Sequence, residues 1–158
     1  MSAGFPVMND DEQFWCGEHD IDGIQGMAAF AKDAAAKLMR RRGGVVMALH
    51  GDLGAGKTTF VQSLAAALGV TRPVTSPTFT LICEHPLPSG GMLVHMDLYR
   101  LEKGADLDSI GLEDYIRSGA IVAIEWAERA EGSLPADTIH MHIGIDPTNE
   151  NLRHIRFA

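Results

Sequence analysis

The chain has 158 residues, of which 46% are hydrophobic and 22% charged, and its formal net charge is −8. This length and composition predict one globular domain with a sizeable core. The negative charge argues against unaided binding of nucleic acid, because proteins that hold RNA or DNA usually display a basic face.

The N-terminal segment carries little pattern. Residues 1–22 contain acids rather than a basic region followed by an apolar one, so we expect no secretory signal. No apolar run reaches the length of about twenty residues that spans a bilayer. The expected location is therefore cytoplasmic, without membrane contact. We predict a loose segment over residues 1–19, with Phe14 and Cys16 in a short edge strand.

The first strong pattern is an amphipathic helix that begins after Asp20 or Asp22, either of which suits an N-cap. Gly43 and Gly44 end it, and Arg40–Arg42 near its end complement the helix dipole without needing a ligand. We expect its apolar stripe to pack on one face of a sheet. The stripe comprises Ile24, Met27, Ala28, Ala31, Ala35 and Leu38.

The segment Gly51–Thr59 reads G-D-L-G-A-G-K-T-T and fits the phosphate-binding pattern G-x-x-x-x-G-K-[ST]. The apolar run Val45–His50 predicts a buried strand before it, and helical spacing over Thr58–Leu68 predicts a helix after it. This context favours a nucleotide site over a glycine-rich turn that caps an ordinary helix. The predicted nucleotide-binding residues are Asp52, Leu53, Gly54, Ala55, Gly56, Lys57, Thr58 and Thr59.

Each residue type in this loop has a physical reason. Glycines admit backbone conformations that aim successive N–H groups at a phosphate, and the dipole of the following helix adds to the attraction. We expect Lys57 to bridge the β- and γ-phosphates, the Thr58 hydroxyl to ligate Mg²⁺, and Thr59 to lie near the α-phosphate.

A loop with two prolines follows over residues 70–79. In P-loop proteins the loop after the first helix often senses the γ-phosphate. Ser76 and Thr78 carry hydroxyls that could reach Mg²⁺ or phosphate in such a switch. A rigid connector is the alternative.

Two predicted strands end in a carboxylate. A turn-forming segment joins strands over Thr78–Glu84 and Met92–Leu98 in an antiparallel hairpin, and the second strand delivers Asp97. A buried parallel strand, Ala120–Ile124, is followed by Glu125. Both acids therefore occupy positions typical of residues that hold Mg²⁺ and water near a γ-phosphate. The alternative for each is an acid in solvent or a cap.

The rest of the chain completes an α/β domain. Residues 106–118 predict a helix interrupted at Gly111, and two further strands after residue 138 predict an antiparallel C-terminal hairpin. For His140 and His142 on the first of these strands, we favour solvent-facing side chains over metal ligands. The predicted fold class is a single-domain P-loop NTPase fold over residues 20–158, with a mixed β-sheet and helices on both faces.

The P-loop does not say what the nucleotide serves. No N-K-x-D guanine-reading pattern is present, so we expect ATP. A small-molecule kinase needs a lid and an acceptor pocket, for which the predicted hairpin leaves little room. Kinase activity and a nucleotide-gated binding module without hydrolysis stay as alternatives.

Five segments together resemble a known family. They are Gly51–Thr59, T-S-P-T-F-T at Thr75–Thr80, H-M-D-L-Y-R-L at His95–Leu101, I-G-L-E-D-Y at Ile110–Tyr115 and I-E-W-A-E-R at Ile124–Arg129. In this order and spacing they resemble the bacterial tRNA threonylcarbamoyladenosine biosynthesis ATPase family, TsaE, once called YjeE. Ala127 departs from the proline usual in that family, and the residues before Asp20 match weakly.

The resemblance implies a slow ATPase that binds ATP and Mg²⁺ and acts on the TsaB–TsaD pair. That pair transfers a threonylcarbamoyl group to the adenosine beside the anticodon of tRNA. It would also hold the tRNA, in agreement with the acidic charge of this chain, which we expect to be a monomer by itself.

The resemblance also implies residue roles. Lys57 and Thr58 bind phosphate and Mg²⁺, Glu125 completes the metal site, and Asp97 orients or activates the attacking water. The division of the metal and water roles between the two acids stays open.

Other roles concern the surroundings of the site. Thr78, with Ser76, belongs to the switch loop, and Trp126 lies beside the site or the partner surface. Arg100 and Arg129 either steady transition-state charge or are exposed structural arginines.

Overall fold

The structure is a computed structural model and describes residues 8–77, 81–102, 104 and 106–158. Its helices are α1 (Asp10–Cys16), α2 (Gly23–Arg40), α3 (Lys57–Ala67) and α4 (Leu112–Arg117), with 3₁₀ segments at Asp108–Ile110 and Ala127–Ser133. Its strands are β1 (Glu18–Asp22), β2 (Val45–His50), β3 (Ile82–Pro86), β4 (Met92–Asp97), β5 (Ile121–Glu125), β6 (Ile139–Asp146) and β7 (Asn149–Phe157). None of the described helices is long and apolar enough to cross a bilayer.

These strands form one mixed sheet in the order β1-β7-β6-β2-β5-β4-β3. β2 runs parallel to β5 and β6, and β4 runs parallel to β5. β3 pairs antiparallel with β4, and β7 with β6, so both predicted hairpins are confirmed. β3 continues to Pro86 instead of ending at Glu84, and residues 78–80 of the predicted strand lie outside the described residues. β1 pairs antiparallel with β7 at the edge. The mixed sheet predicted from the sequence is therefore correct.

Helices cover both faces of this sheet because its central strands are apolar on both sides. Every residue of β5 is buried, and so is every residue of β2 except the last. On one face, Phe30 of α2 packs with Phe60 and Leu64 of α3. On the other face, Leu112 of α4 joins the core. The break predicted at Gly111 is confirmed, since that residue takes φ +90° just before α4.

Two residues of the predicted α2 stripe lie outside the core. Ile24 is 78% exposed; it sits in the first turn of α2 and lines an open cavity beside the glycine loop. Ala28 is exposed at the margin of the stripe. Asp22 takes the N-cap position, but its side chain makes no capping hydrogen bond.

The N-terminal segment is more ordered than predicted. Phe14 and Cys16 lie in α1 rather than in an edge strand. α1 begins with a capping box: the Asn9 side chain accepts from the Glu12 backbone N–H at 2.8 Å, and the Glu12 carboxylate accepts from the Asn9 N–H at 3.0 Å. The prediction of a loose segment up to residue 19 is therefore wrong where the structure describes it.

Aromatic and ionic contacts hold α1 against the domain. Phe14 stacks on Phe30 with 5.3 Å between ring centroids and lies 5.8 Å from Phe157. Asp11 pairs with Lys37 at 3.2 Å and with Arg40 at 2.5 Å. Part of the basic end of α2 thus has a partner within the chain.

His154 connects three parts of the sheet edge. Its Nδ1 lies 2.6 Å from Asp20 Oδ1 in β1, and its Nε2 lies 2.8 Å from Asp146 Oδ2 at the end of β6. Both nitrogens can donate only when the ring is protonated. The hydrogen bonds to Asp20 and then Asp146 therefore raise the pKa of His154 above its ordinary 6.5.

A raised pKa of this kind makes stability depend on pH. The contribution of His154 should be complete below pH 6.5 and lost as pH rises through the raised pKa, because folding favours the protonated ring. His154→Asn should therefore lower the melting temperature more at about pH 6 than at about pH 8.5. Asp20→Asn should act in the same direction, and the double variant should add little. An equal loss at both pH values would contradict this account.

Candidate functional site

The carboxyl ends of three parallel strands meet at one edge of the sheet. Glu125 of β5 is in register with Leu49 of β2 on one side and with Asp97 of β4 on the other. Glu125 is 3% exposed and Asp97 is 5% exposed, so both predicted strand-end acids are buried rather than in solvent. In α/β sheets, ligands bind at the carboxyl ends of the strands.

The glycine loop leaves β2 at this edge and enters α3. Gly56 takes φ +110°, a left-handed conformation that residues with side chains rarely adopt. At Gly51 the constraint is space, because a Cβ atom would lie 2.6 Å from the Ile143 carbonyl oxygen. The loop therefore needs glycine at both positions, for different reasons.

Lys57 is buried in the first turn of α3. Its ammonium donates hydrogen bonds to the carbonyl oxygens of Gly51 and, at 3.2 Å, Asp52. It also lies 4.8 Å from the centre of the Trp126 ring, within the range of a cation–π contact. The loop carbonyls and the Trp126 indole therefore contact the Lys57 ammonium, the group that we expect to bind phosphate in this motif.

Thr58 connects α3 to the end of β5. Its hydroxyl donates to the Glu125 carboxylate, at 2.9 Å to Oε1 and 3.1 Å to Oε2. A hydroxyl beside a carboxylate supplies the hard oxygen ligands that Mg²⁺ takes. The donor set therefore fits the magnesium ion predicted at these two residues.

Asp97 and Trp126 are both fixed by local contacts. Asp97 Oδ1 accepts a hydrogen bond from the Tyr99 backbone N–H at 2.9 Å, which orients the carboxylate at the end of β4. Trp126 takes φ +58°, an uncommon conformation for a bulky residue. Its ring centroid lies 5.0 Å from that of Tyr99. Strained backbone of this kind clusters at functional sites.

These groups line one cavity of about 460 Å³, a volume typical of small-molecule sites. Its lining comprises Leu53, Gly54, Ala55, Gly56, Lys57, Thr58, Thr59, Ser76, Asp97, Tyr99, Glu125 and Trp126. Of the predicted site residues that the structure describes, Asp52 does not line the cavity, although its carbonyl holds Lys57. Arg100 and Arg129 do not line it either. Thr78 lies outside the described residues.

Sequence patterns did not identify three residues around the site. His95 Nε2 lies 2.5 Å from Glu125 Oε2; the available signal was an imidazole two residues before an acid in an apolar strand. Tyr99 lines the cavity within the same motif as Asp97. Arg153 of β7 donates from Nε to the Ala55 carbonyl at 2.9 Å, a contact with no local signal.

A second cavity of about 500 Å³ shares Gly54, Ala55, Gly56 and Thr59 with the first. It lies against the start of α2 and the C-terminal hairpin. Its other lining residues include Ile24, Met27, Asn151 and Arg153. The glycine loop therefore borders two open spaces. One is lined by Asp97 and Glu125, and the other by a mixture of apolar and charged side chains, among them Met27 and Glu150.

Three histidines form a half-buried stack at the end of β2. His142 stacks on His50 with 4.5 Å between ring centroids, and His140 Nδ1 lies 2.9 Å from His50 Nε2. The prediction of solvent-facing histidines holds only in part: His140 and His142 lie on the less buried face of β6, but both rings also stack against His50 and are half-buried. Burial and then the neighbouring imidazoles lower the pKa of His50. Among the described residues, no group of three or more His, Cys, Asp and Glu is suited to a metal ion.

Comparison with known proteins gives consistent matches over most of the chain. The family model described as "Threonylcarbamoyl adenosine biosynthesis protein TsaE" matches residues 23–155. The tRNA threonylcarbamoyladenosine biosynthesis protein TsaE of Bacillus subtilis (strain 168) is 40% identical over 133 residues, which are 83% of this chain and 73% of that protein. The protein of the same name from Haemophilus influenzae is 38% identical over 131 residues, 82% of each chain.

A solved structure also matches the fold. The crystal structure of Bacillus subtilis YdiB superposes on this chain with a TM-score of 0.70 and 34% sequence identity. The match covers 89% of this chain and 83% of the YdiB chain. α1 and β1 precede the residues matched by the family model.

Nucleotide binding should change the fluorescence of Trp126, because a phosphate competes for the ammonium now 4.8 Å from the indole. Trp15→Phe removes the other of the 2 tryptophans; in that background, ATP should shift the emission. Unchanged emission with ATP bound, as verified by equilibrium dialysis, would contradict the expected movement of the Lys57 ammonium.

Lys57→Met should weaken ATP binding about 10- to 100-fold, since hydrogen bonds to charged groups contribute about 1.5–3 kcal/mol. Exposed Lys32→Met is the control.

Proposed function

The chain belongs to the TsaE family of tRNA threonylcarbamoyladenosine biosynthesis, and we propose that it is a Mg²⁺-dependent ATPase of that process. The observation that carries the proposal is the convergence of Lys57, Thr58, Asp97 and Glu125 on one cavity. Groups suited to phosphate, to a metal ion and to water meet there, and nucleotide hydrolysis needs all three.

The glycine loop and Lys57 bind the phosphates. The first N–H groups of α3 have no partner within the helix, and the dipole of this helix of 11 residues favours an anion. The Lys57 ammonium exchanges the carbonyls of Gly51 and Asp52 for phosphate oxygens. The second cavity, whose lining mixes apolar Ile24 and Met27 with polar side chains such as Asn151, offers room for the nucleoside.

Thr58 and Glu125 would hold the metal, and Asp97 would orient the attacking water. Glu125 is the acid that contacts Thr58, which supports its assignment to the metal. Asp97, held by the Tyr99 N–H, lines the same cavity and can accept a hydrogen bond from water. Mg²⁺, when bound, neutralises charge that develops on the phosphates.

The exposed rim of the cavity supports partner-dependent hydrolysis. Leu53 is 87% exposed and Tyr99 is 52% exposed, and both are large side chains that a protein partner can bury. We propose that the TsaB–TsaD pair covers this rim. The pair would also hold the tRNA, because this chain carries a net charge of −8, which disfavours binding of RNA. We expect a cytoplasmic location for this role, and a monomer in the absence of partners.

Purified TsaB–TsaD should therefore stimulate ATP hydrolysis by this chain. Glu125→Gln should lower the stimulated rate more than about 100-fold. Loss of a residue that only supports a metal ligand costs about 10- to 100-fold, and Glu125 is assigned as the ligand itself. Asp97→Asn should lower the rate while Mg²⁺-dependent nucleotide binding persists. Glu113→Gln changes an exposed acid of α4; it is the matched control and should keep the rate.

Reconstituted tRNA threonylcarbamoylation over several turnovers tests the role itself. Without this chain, or with Glu125→Gln, we expect the modification to stop early. A normal series of turnovers in its absence would overturn the proposal. Transfer of labelled γ-phosphate to a metabolite without any protein partner would favour a kinase instead.

A further inference from the structure

His95 is a polar side chain at a core position. It is 0% exposed in β4, between buried Val94 and Met96. Because side chains alternate along a strand, His95 shares a face of the sheet with Asp97, two residues further on. A buried imidazole needs a hydrogen-bond partner.

Its partner is the acid that we assign to the metal. His95 Nε2 lies 2.5 Å from Glu125 Oε2, and the Thr58 hydroxyl contacts the same carboxylate. The carboxylate is thus held by a ring from β4 and by a hydroxyl from α3. Since Glu125 is 3% exposed, the loss of either donor would not be compensated by bulk water.

The tautomer of His95 follows from the surroundings of its two nitrogens. Nδ1 is buried and has no hydrogen-bond partner among the described residues, so a proton there would be an unsatisfied donor. Nε2 faces a carboxylate, which accepts hydrogen bonds when ionised. Nε2 therefore carries a hydrogen and donates it to Glu125.

We propose that His95 is a positioning residue that fixes Glu125 for Mg²⁺ through the hydrogen bond from Nε2 to Oε2. The proposal rests on the proposed function. The ring engages Oε2, and Oε1 lies 2.9 Å from Thr58 Oγ1 as the other half of an oriented pair of oxygen ligands. His95 is absent from the described lining of the cavity, so it acts through Glu125. Hydrogen-bond partners of metal ligands act in this way in many metal sites.

The test compares two variants of His95. His95→Leu removes the donor and keeps the site filled, whereas His95→Gln can present an amide N–H near the position of Nε2. For each protein, the Kd of a non-hydrolysable ATP analogue is measured with Mg²⁺ and with a chelator. The ratio of the two values is the gain in affinity that Mg²⁺ provides.

We expect His95→Leu to reduce this gain about 10- to 100-fold and to leave the Kd in chelator unchanged. His95→Gln should recover most of the gain. His19→Leu is the matched control, because it replaces a half-buried histidine of β1, at the opposite edge of the sheet from β4, that does not line the cavity; it should keep the full gain. A purely structural role would lower the melting temperature without changing the ratio.

Two results would overturn the proposal: an unchanged gain in His95→Leu, or equal losses in His95→Leu and His95→Gln. If the wild-type chain shows no gain from Mg²⁺, the proposed function itself fails. The two failures are therefore distinguishable.

A second measurement does not depend on whether the variants fold. Long-range ¹⁵N–¹H correlation spectra of the nucleotide-free wild-type protein report which ring nitrogen of each histidine carries the hydrogen. His95 should be the Nε2–H tautomer. A ring protonated on Nδ1 alone would overturn the proposal.

Discussion

The hydrogen bond from the Thr58 hydroxyl to the Glu125 carboxylate is the contact on which the rest of the site depends. It joins the first turn of α3 to the end of β5, across 67 residues of sequence. A buried carboxylate needs donors, and here they come from α3 and, through His95, from β4. The same bonds therefore stabilise this edge of the sheet and orient the oxygens that we assign to Mg²⁺.

The phosphate side of the site is held in a complementary way. Lys57 bonds to carbonyls of its own loop and lies over Trp126, whose ring in turn contacts Tyr99. If the chain binds a nucleotide as proposed, the phosphates replace the hydrogen bonds from Lys57 to the loop carbonyls. Under the proposed function, a continuous line of side chains then connects the phosphates with Tyr99, which is 52% exposed at the rim.

Local patterns predicted the glycine loop and the strand-end acids, because each is written in a short window of sequence. The contact between His95 and Glu125 depends on the pairing of β4 with β5, and the bond from Arg153 to Ala55 spans 98 residues; no short window contains either. α1 was missed for a different reason. The sequence contains its capping box, but a helix of 7 residues is stabilised mainly by tertiary contacts, which a local pattern does not show. The switch role of Thr78 stays a prediction.

A double-variant cycle on the Mg²⁺-dependent gain in affinity for an ATP analogue tests the central claim most directly. Thr58→Val removes the hydroxyl at nearly constant volume, and Glu125→Gln removes the carboxylate charge. If both residues form one metal site, the double variant should lose about as much of the gain as the weaker-binding single variant, because groups that act on one ligand are not additive. Fully additive losses, or a gain that survives both substitutions, would contradict it.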